Sequence, residues 1–319
     1  MNAEELKSVL QTYYDDSANI SICVYAVMKD AENPGPFKLD IEADAGIGLK
    51  DMFIQSLQDN LSSNDELSIL NLSSADERTN AIYIYDIDIP EELSSLETVI
   101  SQDNLPLLNL AERSLSSIKA LLIEIGNNTR QLVLYKTMAP VNIFGRASFF
   151  LQKDNSRLKR LKDEFLRISP GFQMMRINGL LLVLNLEALE KSFGFHDVIK
   201  CEAARGINEI VAANLLTNPD VLRELIEDVK YARRLTKVAR ASPVLKSGIS
   251  SESIAQFCMT FPTLIGRIRF NEDNKIILDT KVSKDLFIKL LMDDFLTSEL
   301  TKFHYASVAK DAVELNTEE

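Results

Sequence analysis

Asn178-Gly179 separates two apolar runs, residues 172–177 and 180–184, and this arrangement leaves the chain few options. A type I′ turn needs positive φ at both central residues, and Asn-Gly adopts it at low cost, so the two runs are predicted to pair as an antiparallel hairpin. A second apolar pair, residues 120–125 and 131–135, flanks Gly126-Asn127-Asn128-Thr129 and reads the same way. Around these hairpins the pattern alternates between strand and helix periods. Helices are expected over residues 3–14, 49–61, 108–117, 250–259 and 283–295, with a helix-rich block over 186–241 broken at Gly194 and Asn218-Pro219. Strands are expected over 20–28, 37–41, 67–72, 81–89, 267–270 and 275–280. Pro90 and the acids after it open a further helix. The apolar residues at 287–295 are read as core.

The fold class that follows is mixed α/β (α+β): an N-terminal sheet-and-helix module, then a helix-rich module with β-hairpins. A boundary is placed near Pro140, giving an acidic module over residues 1–140 and a basic module over 145–319. Charge supports this division. The chain of 319 residues has a net charge of -12, yet residues 1–110 hold 21 acids against five bases, while residues 150–246 hold 17 bases against 12 acids. An acidic front and a basic middle point to two modules with different partners.

Catalytic and metal motifs are missing. The sequence contains no P-loop, dinucleotide-binding fingerprint or nucleophile elbow, and its two histidines lie in no metal-ligand spacing. No catalytic residue, cofactor or metal is therefore assigned. Cys23, Cys201 and Cys258 are far apart and odd in number, which suits a reducing compartment and three buried, hydrophobe-like side chains. The first residues do not resemble a signal peptide and no apolar run approaches membrane-spanning length, so a soluble, cytoplasmic protein is expected.

Two segments carry clustered cations. Asn155-Ser156 is read as a helix N-cap before an apolar stripe of Leu158, Leu161, Phe165 and Ile168, with Arg157, Lys159, Arg160, Lys162 and Arg167 along its rim. Over residues 219–241, acids fill the early turns, and Lys230, Arg233, Arg234, Lys237 and Arg240 follow within an arc of about 120° on one helix. Macrodipole compensation would account for part of that distribution. Five cations exceed what it requires, so both helices are read as facing phosphates, with contacts to the DNA backbone and little base readout. The alternative chemistry is a metal-dependent nuclease built on Asp86 and Asp88, which alternation would place on one face of a strand end. A third possibility is a scaffold that binds only proteins.

The C-terminal stretch Lys275-Ile276-Ile277-Leu278-Asp279, the segment from Phe287 through Thr301, and Tyr305 resemble the KwaB-like family of the Kiwa anti-phage defence system. The chain length and the acidic N-terminal part fit the same resemblance. It implies an anti-phage effector that binds double-stranded DNA and acts with a small integral membrane partner (KwaA-like), which would recruit it to the inner membrane. Self-association into a homo-oligomer is expected as well. The resemblance carries no catalytic motif, so the contact residues rest on the charge pattern alone.

Overall fold

The computed structural model describes residues 1–30, 32–73, 78–90, 93–102, 104–139, 142–144, 150–161, 164–191 and 194–307. The chain forms two compact units. The first comprises Met1–Ile69, Asn80–Tyr85 and Ile89–Phe193; the second comprises Leu70–Thr79, Asp86–Asp88 and Gly194–Glu319.

The first unit begins with α1 (Ala3–Asp15), whose start is held by a capping box: Asn2 Oδ1 accepts from the Glu5 N–H at 2.8 Å and Glu5 Oε2 accepts from the Asn2 N–H at 3.0 Å. Leu6, Leu10 and Tyr13 lie one helical turn apart and are buried together. Then come β1 (Ser21–Met28), β2 (Phe37–Lys38), α2 (Ala43–Leu57), β3 (Ser68–Asn71), β4 (Ala81–Ile84) and α3 (Ser94–Ser101). The central hairpin is β5 (Ile118–Asn127) and β6 (Arg130–Thr137), followed by β7 (Ile143–Phe144), β8 (Phe150–Asp154), β9 (Arg157–Leu161), β10 (Phe165–Leu166), β11 (Met174–Ile177), β12 (Leu180–Val183) and α4 (Leu186–Lys191). Eight strands form one sheet in the order β2-β1-β5-β6-β11-β12-β4-β3, antiparallel from β2 through β4. Leu6, Leu10 and Phe53 of the helices pack with Val24, Leu121, Ile123 and Leu134 of the strands in one core.

Both expected hairpins are present. Asn178 (φ 48°) and Gly179 (φ 78°) take the left-handed conformation, and Ile177 pairs with Leu180. In β5–β6 the Asn127 side chain accepts from the Thr129 N–H at 3.0 Å and closes the turn.

Several expectations are corrected. Residues 108–117 form no α-helix: the Leu108 N–H donates to Lys38 O at 2.9 Å and the Lys38 N–H donates to Pro106 O at 2.8 Å, pairing the start of the segment with β2, and the rest is a turn closed at Asn109 O and a 3-10 turn over Leu115–Ser117. The helix expected from Asn155 is the two-stranded ribbon β8–β9, with Asp154 opposite Arg157 across a two-residue turn. Asn155 takes φ 52°; the residue type that suits an N-cap also suits a left-handed turn. The strand expected over 81–89 stops at Ile84. Strands on either side of residues 140–145 share one sheet, because β6 pairs with β11.

The second unit contains α5 (Phe195–Ala212), α6 (Val221–Leu225), α7 (Val229–Ala241), α8 (Pro243–Lys246), α9 (Ser251–Thr260), β13 (Arg269–Phe270), β14 (Ile276–Ile277), α10 (Lys281–Leu291), β15 (Phe295–Thr297) and β16 (His304–Ala306). Residues 219–241 are thus two helices, and Asp228 starts the second by accepting from the Lys230 N–H at 2.8 Å. Phe287, Ile288, Leu291 and Phe295 are buried, in line with a core role. Of the cysteines only Cys258 is buried; Cys23 is half-buried and Cys201 exposed, and none is paired. Among the described residues no helix is long and apolar enough to cross a membrane.

Candidate nucleic-acid interface

The ribbon β8–β9 presents cations because every one of its described side chains is exposed. Lys153, Arg157, Lys159 and Arg160 are exposed, and so are Leu151 (54%) and Leu158 (66%), the latter from the stripe that the sequence suggested was buried. Side chains alternate across a strand, so Arg157 and Lys159 lie on one face of the ribbon, while Lys153 and Arg160 share the other face with the two leucines. The ribbon is flanked in sequence by β7 and β10, which pair through Phe144 opposite Phe165. Glu164, just before β10, accepts from Ser114 Oγ at 2.7 Å and from the Leu115 N–H at 2.8 Å, which anchors the base of the projection. Lys162 lies outside the described residues.

In the second unit, α7 distributes its cations differently from the expected exposed row. Lys230 and Arg240 are exposed, whereas Arg233, Arg234 and Lys237 are half-buried. Arg234 Nη1 donates to Asp285 Oδ1 at 2.7 Å, the same oxygen that accepts from the Tyr231 hydroxyl at 3.0 Å. Burial, and then the Asp285 hydrogen bond, push the Tyr231 hydroxyl above its ordinary pKa. Arg234 is therefore a packing residue as much as a surface cation.

At its C-terminal end, α7 lies against α5. Gly206 of α5 has no side chain where Ala239 approaches, and this close crossing sets Glu202, one turn before Gly206, beside Arg240. Arg240 Nη2 donates to Glu202 Oε2 at 2.5 Å, and Arg205 Nη1 donates to Glu202 Oε1 at 2.5 Å. Glu202 raises the Arg205 pKa further, with Asp88 adding to the effect. Sequence reasoning missed Glu202, Arg205 and Lys153. The i, i+3 spacing of Glu202 and Arg205 was a usable signal; their proximity to Arg240 was not.

Asp86 and Asp88 belong to this unit. Asp86 accepts from the Ser73 N–H at 2.9 Å and from its hydroxyl at 2.5 Å, and lies 3.7 Å from Arg240 Nη1. Asp88 lies 3.5 Å from Arg205 Nη1. Both carboxylates thus face guanidinium groups, and among the described residues no group of three or more His, Cys, Asp or Glu could hold a metal ion.

The model of the Kiwa protein KwaB-like family matches residues 115–301, more than half of the chain, spanning the ribbon and α5 to α10. The chain belongs to this family. It is 28% identical over 325 residues to Kiwa protein KwaB of Escherichia coli O55:H7 (strain RM12579 / EPEC), with 98% of this chain and 100% of that protein covered. No solved structure matches. Membership in the KwaB-like family supports a role in anti-phage defence.

Proposed function

We propose that the protein is an anti-phage effector that binds duplex DNA without sequence preference, chiefly through the ribbon β8–β9 and secondarily through the exposed cations of α7. The observation that carries this reading is the exposed ribbon, with Lys153, Arg157, Lys159 and Arg160 divided between its two faces. A two-stranded ribbon is narrow enough to enter the major groove or to follow its rim, and Lys and Arg on both faces can reach phosphates on either side. The set holds only Lys and Arg, with none of the Asn, Gln or acidic side chains that read adenine or cytosine, so affinity would come mainly from backbone phosphates and fall with salt. In this reading a KwaA-like membrane-embedded partner and self-association of the chain would bring the DNA-binding surface to the membrane.

Titration of a fluorescent duplex at two salt concentrations tests the reading. Changing Arg157, Lys159 and Arg160 together to Ala is expected to weaken binding and to reduce the slope of log K against log salt by roughly 3, about one for each phosphate that the variant leaves unneutralised. A wild-type protein that fails to bind at low salt would overturn DNA binding as an intrinsic property. Co-purification of the wild-type chain with a co-expressed KwaA-like partner tests the membrane arm, and the expected result is recovery of both in the membrane fraction.

A further inference from the structure

Five side chains of the second unit form a ladder of alternating charge: Asp86, Arg240, Glu202, Arg205 and Asp88. Its central and outer contacts differ. Glu202 is 10% exposed and gives one oxygen to each arginine at 2.5 Å, so it holds the two guanidinium groups at a defined separation. The outer carboxylates lie farther from the guanidinium groups, at 3.7 Å for Asp86, which Ser73 also holds through its N–H and hydroxyl, and at 3.5 Å for Asp88, which is mostly exposed. A cavity of about 680 Å³ adjoins the ladder, lined by both arginines, Lys246, Glu202 and Glu209. A guanidinium fork suits phosphate oxygens at least as well as carboxylates, and an exposed ion pair such as Arg205–Asp88 is weak.

We propose that Arg205 and Arg240, spaced by Glu202, form a phosphodiester-binding pair, and that Asp86 and Asp88 occupy it in the free protein as an internal substitute for two phosphates. Nucleic-acid backbone engages this pair by displacing the Asp86–Asp88 segment. The close inner carboxylate presets the arginines, and the more distant outer carboxylates are the exchangeable ligands, Asp86 keeping its Ser73 hydrogen bonds only while the segment is in place. Free protein therefore shields part of its positive surface from incidental anions. This inference rests on the DNA-binding reading above and adds to it a site outside the ribbon, with its own regulation.

The test compares duplex DNA binding across salt for the wild-type chain, Asp86→Asn/Asp88→Asn, and the same chain with Arg205→Gln/Arg240→Gln added. Asparagine keeps the shape and can still accept from the Ser73 N–H, and thermal melts establish that each variant folds. The Asn variant is expected to bind more tightly, with a salt slope steeper by up to about 2, and the added Gln changes are expected to remove that gain. Hydrogen exchange of the unmodified chain supplies a second readout: amides at residues 86–88 are expected to exchange faster when duplex is bound. Wild-type binding that responds to ribbon substitutions, with no gain in the Asn variant and no exchange change at 86–88, would overturn this inference and leave the DNA-binding reading standing. A chain that binds no duplex in either the wild-type or the Asn form overturns both.

Discussion

Gly206 and Ala239 meet so closely that a Cβ on residue 206 would stand 2.5 Å from the Ala239 Cβ. The contact sets how near α5 comes to α7, and with it the reach of Glu202 to Arg240. Gly206→Ala gains up to about 1 kcal/mol of helix propensity but forces the helices apart, and overpacking of this kind costs about 1–3 kcal/mol. Net destabilisation is expected in denaturant melts. Ala239→Gly in the same chain is expected to recover most of the loss, because it removes the opposing methyl group.

Cys258 provides a pH test in the second unit. Burial pushes its thiol up to about 11 from an ordinary value near 9.0. The folded chain keeps this proton after the unfolded chain has released it, so the unfolded state binds fewer protons between these values and stability falls as pH rises. The contribution is intact below pH 9 and is lost on the order of 2 kcal/mol by pH 11. In Cys258→Ala this component of the alkaline decline is expected to disappear, although the variant starts from lower stability at neutral pH. Parallel slopes for the two proteins between pH 9 and 11 would contradict the assignment.

Arg234 and Arg157 are expected to separate stability from binding. Arg234 is one-third exposed and shares the Asp285 carboxylate with Tyr231, so Arg234→Ala is expected to cost up to about 1 kcal/mol of stability. Arg157 lies on the exposed ribbon, so Arg157→Ala is expected to leave the melting temperature nearly unchanged and to weaken duplex binding. The pair is read by running thermal melts and DNA titrations on the same preparations. A reversed pattern would place the DNA surface on α7.

Gly179 isolates the cost of the turn that most shapes the first unit. Its φ is 78°, and a Cβ added there would meet nothing within 4 Å, so any penalty comes from backbone conformation alone. Gly179→Ala is expected to destabilise the chain by about 1 kcal/mol. Circular dichroism should show the sheet retained, since register is set along β11 and β12 by Ile177 opposite Leu180 and Met174 opposite Val183.

Much of the fold was legible in the sequence because its signals are local. Asn178-Gly179 and Asn127 encode their turns through their own φ preferences and side-chain hydrogen bonds, and the hairpins around them follow. The capping box of α1 and the apolar period of Leu6, Leu10 and Tyr13 are equally self-contained. The resemblance to the KwaB-like family was also readable, from the stretch between Lys275 and Tyr305, and the family match now supports it.

The candidate site was less legible because periodicity counts apolar residues without saying whether a surface exists to cover them. Leu158, Leu161, Phe165 and Ile168 have helical spacing, yet the chain reverses at Asn155 and leaves Leu158 in water. Sequence likewise established that cations cluster along 230–240, since composition and helical pitch are local properties. Which of them turn inward depends on groups far away in the chain: Asp285 takes Arg234 across 51 residues, and Glu202 takes Arg240 across 38. Ion pairs form wherever packing brings charges within a few ångströms, and in the second unit the approach of α5 to α7 at Gly206 decides that distance for Arg240. The sequence alone determined the Asn178-Gly179 and Asn127 turns, the start of α1 and the charge inventory; tertiary structure decided whether Asn155 capped a helix or turned a ribbon, which charges face solvent and which face each other.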